Sequence, residues 1–342
     1  RMPPKWMLLW KMFSYTTSEK EQVKTMIRYE LKKIFGSVGG KIALGLYIAT
    51  VILSCFLAAN GFMNVDVKWV NEQGESERGF QAVQKLREAR NEWEGYLDQE
   101  MLTKVIQENS RINATPEGQS SNVQKSNIAY GWKQGFSPIR EMINRSYSVG
   151  FRTYDYYRAD GISVIKEETF YGNRTRQLKD WLYDKTDVAY DLYTEAEKQY
   201  LIGQYEKLET PFYVDYHDGW YQLLENAALL PMLGILIIGY MVAGIFSNEF
   251  KWKAHTVYFS TLLGRNKATS AKIKAGLLLV TVLYWAAMLI YSFVTLGYLG
   301  FEGGNCVVQL RVWKSLYNIT FWQAWVLTLI CGYIGNLFLT AL

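Results

Sequence analysis

Four uncharged apolar runs decide what this chain can fold into. Ile42–Phe62, Leu229–Phe246, Gly276–Leu299 and Ile319–Leu342 each hold at least 18 residues with no Asp, Glu, Lys or Arg. A run of roughly 18 or more such residues, wound as a helix, crosses the ~30 Å hydrocarbon layer of a bilayer. The sequence therefore predicts an α-helical polytopic membrane protein with at least four transmembrane helices. The 160-odd residues between the first two runs are polar enough to form a separate, mainly helical domain.

Charge then orients these runs. Residues 247–275 carry Lys251, Lys253, Arg265, Lys267, Lys272 and Lys274 against one acid, Glu249. Residues 1–41 hold nine Lys/Arg and three acids, whereas residues 64–226 hold 20 and 27, a net charge of −7. Short loops rich in Lys and Arg stay on the cytoplasmic side. The expected topology has a cytoplasmic N-terminal segment (1–41), a first transmembrane helix (42–63) and an extracellular domain (64–223). A second transmembrane helix (224–247), a basic cytoplasmic loop (248–274), a third helix (275–299), an extracellular loop (300–318) and a fourth helix (319–342) follow. The overall +5 is then the sum of a basic inside and an acidic outside, and gives no argument for nucleic acid. The acidic domain has no cysteine, since Cys55, Cys306 and Cys331 all lie elsewhere, so no disulfide framework is expected there. An exported domain of that kind points to a bacterial plasma membrane.

Within the N-terminal segment, residues 6–13 (WMLLWKMF) are apolar, too short to span, and suited to the membrane interface. Ser18 and Glu21 form a capping-box pattern. Val23, Ile27, Leu31 and Ile34 then recur at helical spacing among Lys24, Arg28, Lys32 and Lys33, with Gly36 as a stop and Gly39-Gly40 as a bend. This reads as a basic amphipathic helix lying along the inner leaflet. In the acidic domain, the apolar stripe Phe80, Val83, Leu86, Trp93, Leu97, Met101 and Val105 predicts one long helix over 77–112. Ser137-Pro138 opens another helix and Thr194–Leu208 a third. The tyrosine-rich stretch 146–171 alternates too imperfectly for strands and reads as an aromatic core, with sugar or wall-peptide binding as the other reading.

No GxxxxGK[ST] motif is present, so ATP hydrolysis is not expected in this chain. No cluster with metal-ligand spacing and no nucleophile in a recognisable motif is found, so no catalytic residues and no metal are expected. Asp215, His217 and Asp218 (DYHDGW) read as a solvated turn near the membrane. Thr50, Ser54, Thr281, Thr328 and Asn336 are the polar features of the spans; they line a substrate path or join packed helices. Trp322 and Trp325 suit an aromatic belt at the outer interface. In the basic loop, Trp252, Val257, Tyr258, Leu262 and Leu263 interleave with the charges, which gives a short helix able to dock on a cytosolic partner.

The stretch FSNEFKWKAHTVYFSTLLGRNKATSAKIKAG (246–276) resembles the segment between the second and third spans of type-2 ABC exporter permeases. Phe246, Ser247, Glu249, Ser260, Gly264, Arg265, Lys267, Ala271, Lys272 and Ile273 follow the family pattern in order. Lys253 and His255 stand in a neighbourhood where many members carry a glycine. Gly219-Trp220 and the basic YELKKIFGSVGGK also resemble Gram-positive members, and the likeness covers 20–63 and 215–342. It implies that the loop is a coupling helix resting in a separate ATP-binding subunit through Glu249, Lys251, Trp252, Tyr258, Leu262, Arg265 and Lys267. It implies an inner-leaflet connecting helix bearing Lys24, Arg28, Lys32 and Lys33. It also implies ATP and Mg on the partner, a homodimer or heterodimer of permeases in the lipid bilayer, and six spans in a longer natural chain.

The function so implied is outward transport of a peptide, antibiotic or lipid, driven by ATP hydrolysis in the partner. Two other classes stay open. One is a four-span ABC permease that transmits force rather than passing substrate, although its usual loop, an arginine followed by E-I-G and a later R-x-x-G-A, is absent. The other is a membrane-anchored receptor or wall-binding protein that works without an ATPase.

Overall fold

The computed structural model describes residues 21, 23–60, 67–251, 253, 255–261 and 264–341. The interfacial stretch 6–13 and Ser18 lie outside them. In chain order the elements are α1 (23–36), α2 (Val38–Asn60), β1 (Trp69–Val70), β2 (Ser76–Glu77), α3 (Phe80–Asn91), β3 (Gly95–Tyr96) and α4 (Gln99–Asn113). Next come α5 (Val123–Trp132), α6 (Ser137–Ser146), α7 (Glu167–Tyr183), α8 (Ala189–Leu192), α9 (Glu195–Glu206), β4 (Tyr213–Val214) and α10 (Asp218–Glu225). The last four are α11 (Leu229–Lys251), α12 (His255–Ser260), α13 (Thr269–Leu299) and α14 (Phe321–Ala341). Among the described residues, Val38–Asn60, Asp218–Lys251, Asn266–Leu299 and Phe321–Thr340 are long and apolar enough to cross a membrane. The chain is an α-helical polytopic membrane protein.

It divides into two compact units. The membrane unit holds Arg1–Phe56, Ala227–Phe293 and Thr328–Leu342; the head unit holds Leu57–Asn226 and Val294–Leu327. In the membrane unit α1 ends at Gly36, the expected stop, and the bend falls at Ser37 rather than at the Gly39-Gly40 pair, which already belongs to α2. Ser37 Oγ donates to the Ile34 carbonyl (2.9 Å) and accepts from the Gly40 N–H (2.9 Å). A Cβ at Gly40 would collide with that same carbonyl, so glycine is what lets the chain turn there. Ile34 then packs with Ala43, Met241, Ile245 and Leu279.

Tyrosines tie the spans together by donating to carbonyls of neighbouring helices: Tyr47 to Leu283 (3.0 Å) and Tyr284 to Leu329 (2.8 Å). A Cβ at Gly332 would lie 2.5 Å from the Tyr284 hydroxyl, which explains the small residue at that contact. Of the polar span residues, Thr50 and Asn336 bond carbonyls one turn back in their own helices, and Thr281 also reaches the Tyr333 hydroxyl (2.8 Å). Ser54 is buried with no hydrogen-bond partner among the described residues. Ile52, Leu236, Phe293 and Phe338 are all more than 60% exposed, an outward face suited to hydrocarbon rather than water.

In the head unit the single helix expected over 77–112 is two helices, α3 and α4. Residues 92–98 leave the helical path because Gly95 takes φ 146° and Tyr96 pairs with Tyr213 in an antiparallel ladder of β3 with β4. Asp98 then restarts the chain as a true N-cap, accepting from the Met101 N–H (3.0 Å). The apolar stripe runs through the break, since Leu97, Leu102, Val105, Ile106 and Ile112 are all at most 2% exposed. Helix α6 begins at Ser137-Pro138, and α9 begins after Thr194, which with Glu197 forms a complete capping box. The tyrosine-rich stretch carries turns and a 3-10 segment (Arg158–Gly161) and leads into α7.

Residues 300–318 are not a free loop. They are part of the head unit's core, with Trp313 at 1% and Leu310 at 3% exposure. Arg174 of α7 holds them: its guanidinium donates to the carbonyls of Trp313 (2.8 Å), Ser315 and, at 3.4 Å, Tyr205. The same group lies 3.6 Å over the Tyr205 ring. Burial pushes the Arg174 pKa down to about 10.

Candidate functional site

The basic loop is shorter and more structured than the sequence suggests. α11 runs five residues past Phe246 to Lys251, and α13 begins at Thr269, so both spans extend into the charged segment. Between them stand the six-residue α12 and a π-helical turn, Gly264–Ala268. Lys253 makes the turn out of α11 with φ 56°, a left-handed conformation that disfavours any residue with a Cβ. The ring of Phe250 stacks on His255 at 5.1 Å across this turn.

Of the residues named for partner docking, Trp252 and Leu262 lie outside the described residues. Tyr258 sits in α12 and Arg265 in the π-helical turn, and their side chains are outside the description. Lys251 is exposed and Lys267 half-buried. Glu249 is 9% exposed and bound within the chain. Its Oε1 accepts from Lys272 Nζ (2.8 Å) and from Lys33 Nζ (3.4 Å). Lys272 is 1% exposed and also reaches Glu30 Oε2 (3.2 Å) and the Ile245 carbonyl (2.7 Å). Lys33 completes the ring on Glu30 Oε1 (2.9 Å).

Two carboxylates and two ammoniums thus join α1, α11 and α13. The group is close to neutral overall, which is the condition for burying charge. Burial lowers the Lys33 pKa, but its bonds to Glu30 and Glu249 outweigh that and raise it above the ordinary lysine value. Lys24, Arg28 and Lys32 are exposed, while Leu31 and Phe35 pack against the Ile34 cluster. The four-membered cluster was missed as a unit, although a signal existed. Glu249 is the one acid in the basic loop and Glu30 the one acid between Lys24 and Lys33. An isolated acid in a cationic segment is the natural bridge between two such segments. A cavity of about 420 Å³ opens beside it, lined by Lys33, Ser37, Tyr240, Asn248 and Lys251 among others.

The head unit holds a second charge centre, where a solvated turn was expected. His217 and Asp218 are each 3% exposed. The Asp218 carboxylate takes both the Arg90 and the Arg311 guanidinium, so α3, α10 and the segment before α14 meet on one acid. Arg311 Nε also donates to His217 Nε2 (3.1 Å). With Nε2 accepting, the proton must sit on Nδ1, which lies 2.6 Å from the Asp215 carbonyl. Burial, and then the Arg311 charge, hold the His217 pKa well below its usual value, so the ring is neutral. It stacks on Phe321 at 5.3 Å. The turn reads as solvated in sequence because its cationic partners lie 93 and 128 positions away. Among the described residues, no group of three or more His, Cys, Asp or Glu could hold a metal ion.

Of the two tryptophans expected at the outer interface, Trp325 is buried at 2%, while Trp322 is 51% exposed and meets Trp220 edge-on at 5.6 Å. No family model, curated protein or solved structure matches this chain.

Proposed function

We propose that this chain is the membrane-spanning permease subunit of an ATP-driven exporter, with ATP and Mg bound by a separate subunit and the loop 248–274 as the docking element. The observation that carries the reading is the Glu30–Lys33–Glu249–Lys272 cluster. It ties the helices on both sides of the loop to α1, so a displacement of the loop is delivered to three helices at once. A loop that only retained topology by its charge would need no such buried tie. The residues matching the exporter pattern, from Phe246 to Ile273, support the same reading.

In this reading the N-terminus and the basic loop are cytoplasmic, the head unit is extracellular, and a second permease chain completes the pathway. No chemistry is asked of this chain. Closure of the ATP-binding partners moves the loop, and substrate leaves because its affinity differs between the two conformations. The test is mild-detergent purification of the full-length protein from its host, with identification of what co-elutes. A stoichiometric ATPase that is lost on Arg265→Glu/Lys267→Glu supports the proposal. Absence of any ATPase, even after crosslinking, overturns it.

A further inference from the structure

The head unit carries a tryptophan-lined cleft that the exporter reading does not use. It is bounded by the β1–β2 hairpin, α3 and the C-terminal end of α5, and encloses about 560 Å³. Trp69, Trp93 and Trp132 line it together with Asn71, Gln73, Glu72, Glu77, Glu92 and Lys85. That volume is typical of a ligand site.

The walls are built rather than incidental. Gln134, 3% exposed, clamps Val70 next to Trp69: its Oε1 accepts from the Val70 N–H (2.9 Å) and its Nε2 donates to the Val70 carbonyl (3.2 Å). A Cβ at Gly135 would lie 2.6 Å from the Ala89 carbonyl, so glycine there lets the end of α5 close against α3. Asn71 Oδ1 accepts from the N–H groups of Gln73 and Glu75 and fixes the hairpin tip.

The chemistry of the lining selects the ligand. The Trp93 ring is packed on Phe136 at 4.9 Å and already carries an ammonium, Lys104 Nζ, at 4.4 Å. Trp69 and Trp132 make no ring or cation contact among the described residues, and Trp132 is 44% exposed. Among the lining residues three carboxylates, Glu72, Glu77 and Glu92, face one ammonium, Lys85. Glu77 is taken by Lys85 (2.9 Å) and Asn71 (3.0 Å), whereas Glu72 and Glu92 have no ion-pair partner among the described residues. Uncommitted indole faces attract cations through their quadrupole, and unpaired carboxylates beside them add to that attraction. The domain sequence around the cleft, residues 64–226, has a net charge of −7.

The geometry points to a binding site for a basic peptide, whose lysine or arginine side chains lie on Trp69 and Trp132 and pair with Glu72 and Glu92. The asymmetry of charge favours this over a neutral saccharide, which would use the same rings but gain nothing from unpaired carboxylates. The site stands on the head unit's own geometry and does not depend on the exporter proposal.

The experiment is fluorescence anisotropy of fluorescein-labelled hexalysine with the full-length protein in detergent at 0.15 M salt, beside labelled hexaglutamate and a labelled neutral chito-oligosaccharide. Hexalysine alone is expected to bind. Trp132→Ala and the pair Glu72→Gln/Glu92→Gln are each expected to weaken it by about tenfold, with Trp132→Phe retaining most of the affinity. Glu168→Gln, outside the cleft, serves as the charge control. Circular dichroism checks the fold of each variant; should Trp132→Ala misfold, the surface pair carries the same test. The proposal is overturned if the control weakens binding as much as the cleft pair, which means diffuse attraction to an acidic surface. It is equally overturned if a folded Trp132→Ala binds hexalysine unchanged, or if the oligosaccharide binds in place of the peptide.

Discussion

In the head unit one carboxylate, Asp218, holds two guanidiniums; in the membrane unit two carboxylates, Glu249 and Glu30, hold two ammoniums. Each centre joins three separate stretches of chain, but the chemistry differs. A guanidinium is a planar fork whose direction is set by its hydrogen bonds, whereas an ammonium is a point charge on a flexible stem. The head unit therefore has a joint of fixed angle, made firmer by His217 and the Phe321 stack. The membrane unit has a joint in which Lys33, more exposed than its partners, can exchange between Glu30 and Glu249 without leaving a bare charge. Under the exporter proposal, the adaptable joint is the one beside the loop that receives the push.

The sharpest way to break this comparison is Asp218→Asn. It removes the buried carboxylate that Arg90 and Arg311 share, and is expected to cost about 3–5 kcal/mol of stability. Thermal denaturation of the detergent-solubilised protein, followed by near-ultraviolet circular dichroism of the tryptophans, measures it. A change below about 0.5 kcal/mol, the size of a surface substitution, would mean that the centre is solvated after all. Lys272→Met should cost less, about 2 kcal/mol, because Lys33 remains to pair both acids. The same melt compares the two directly, and equal losses would remove the distinction between a fixed and an adaptable joint.

Acid separates the centres in another way. His217 is neutral when folded, with its pKa well below the 6.5 of a free histidine, so below pH about 6.5 the unfolded chain binds the extra proton. Its contribution is fully present above that pH and is lost as pH falls toward the folded value, at up to ~1.4 kcal/mol per pH unit. His217→Gln, which keeps an acceptor for Arg311 but cannot titrate, should flatten the stability profile between pH 6.5 and 5. A slope unchanged by the substitution would assign it to other groups. The smallest effect expected is from Lys253→Gly. It relieves a left-handed φ of 56° at the loop's first turn, for a gain of about 1 kcal/mol. Hydrogen exchange at 250–256 should slow; faster exchange would mean that the lysine side chain itself holds the turn.

Much of this architecture is written locally. Apolar runs without charge, a basic loop and capping patterns such as Thr194–Glu197 act over a few residues, and the spans and α9 follow from them. The helix over 77–112 shows the limit of such reading. The apolar stripe continues through Gly95 and Asp98, and periodicity alone hid a break that both residues signal. The candidate site was legible only as separate residues: Glu249 stood out as the loop's single acid, but Lys33 looked like one of four cations of the N-terminal helix and Lys272 like one of six loop cations.

The sequence by itself determined the number and place of the apolar helices, the separation of a polar domain from them, and the basic character of the loop, because burial of apolar surface and charge solvation depend on composition over short windows. Only the tertiary structure decided which charges are paired. Asp218 meets Arg90 and Arg311, Glu249 meets Lys272 and Lys33, and Arg174 holds Trp313 and Ser315, across separations of 23 to 216 residues. The physical reason is that a buried ion is tolerated only beside its countercharge, and which countercharge arrives is set by how helices pack, a choice no local pattern records.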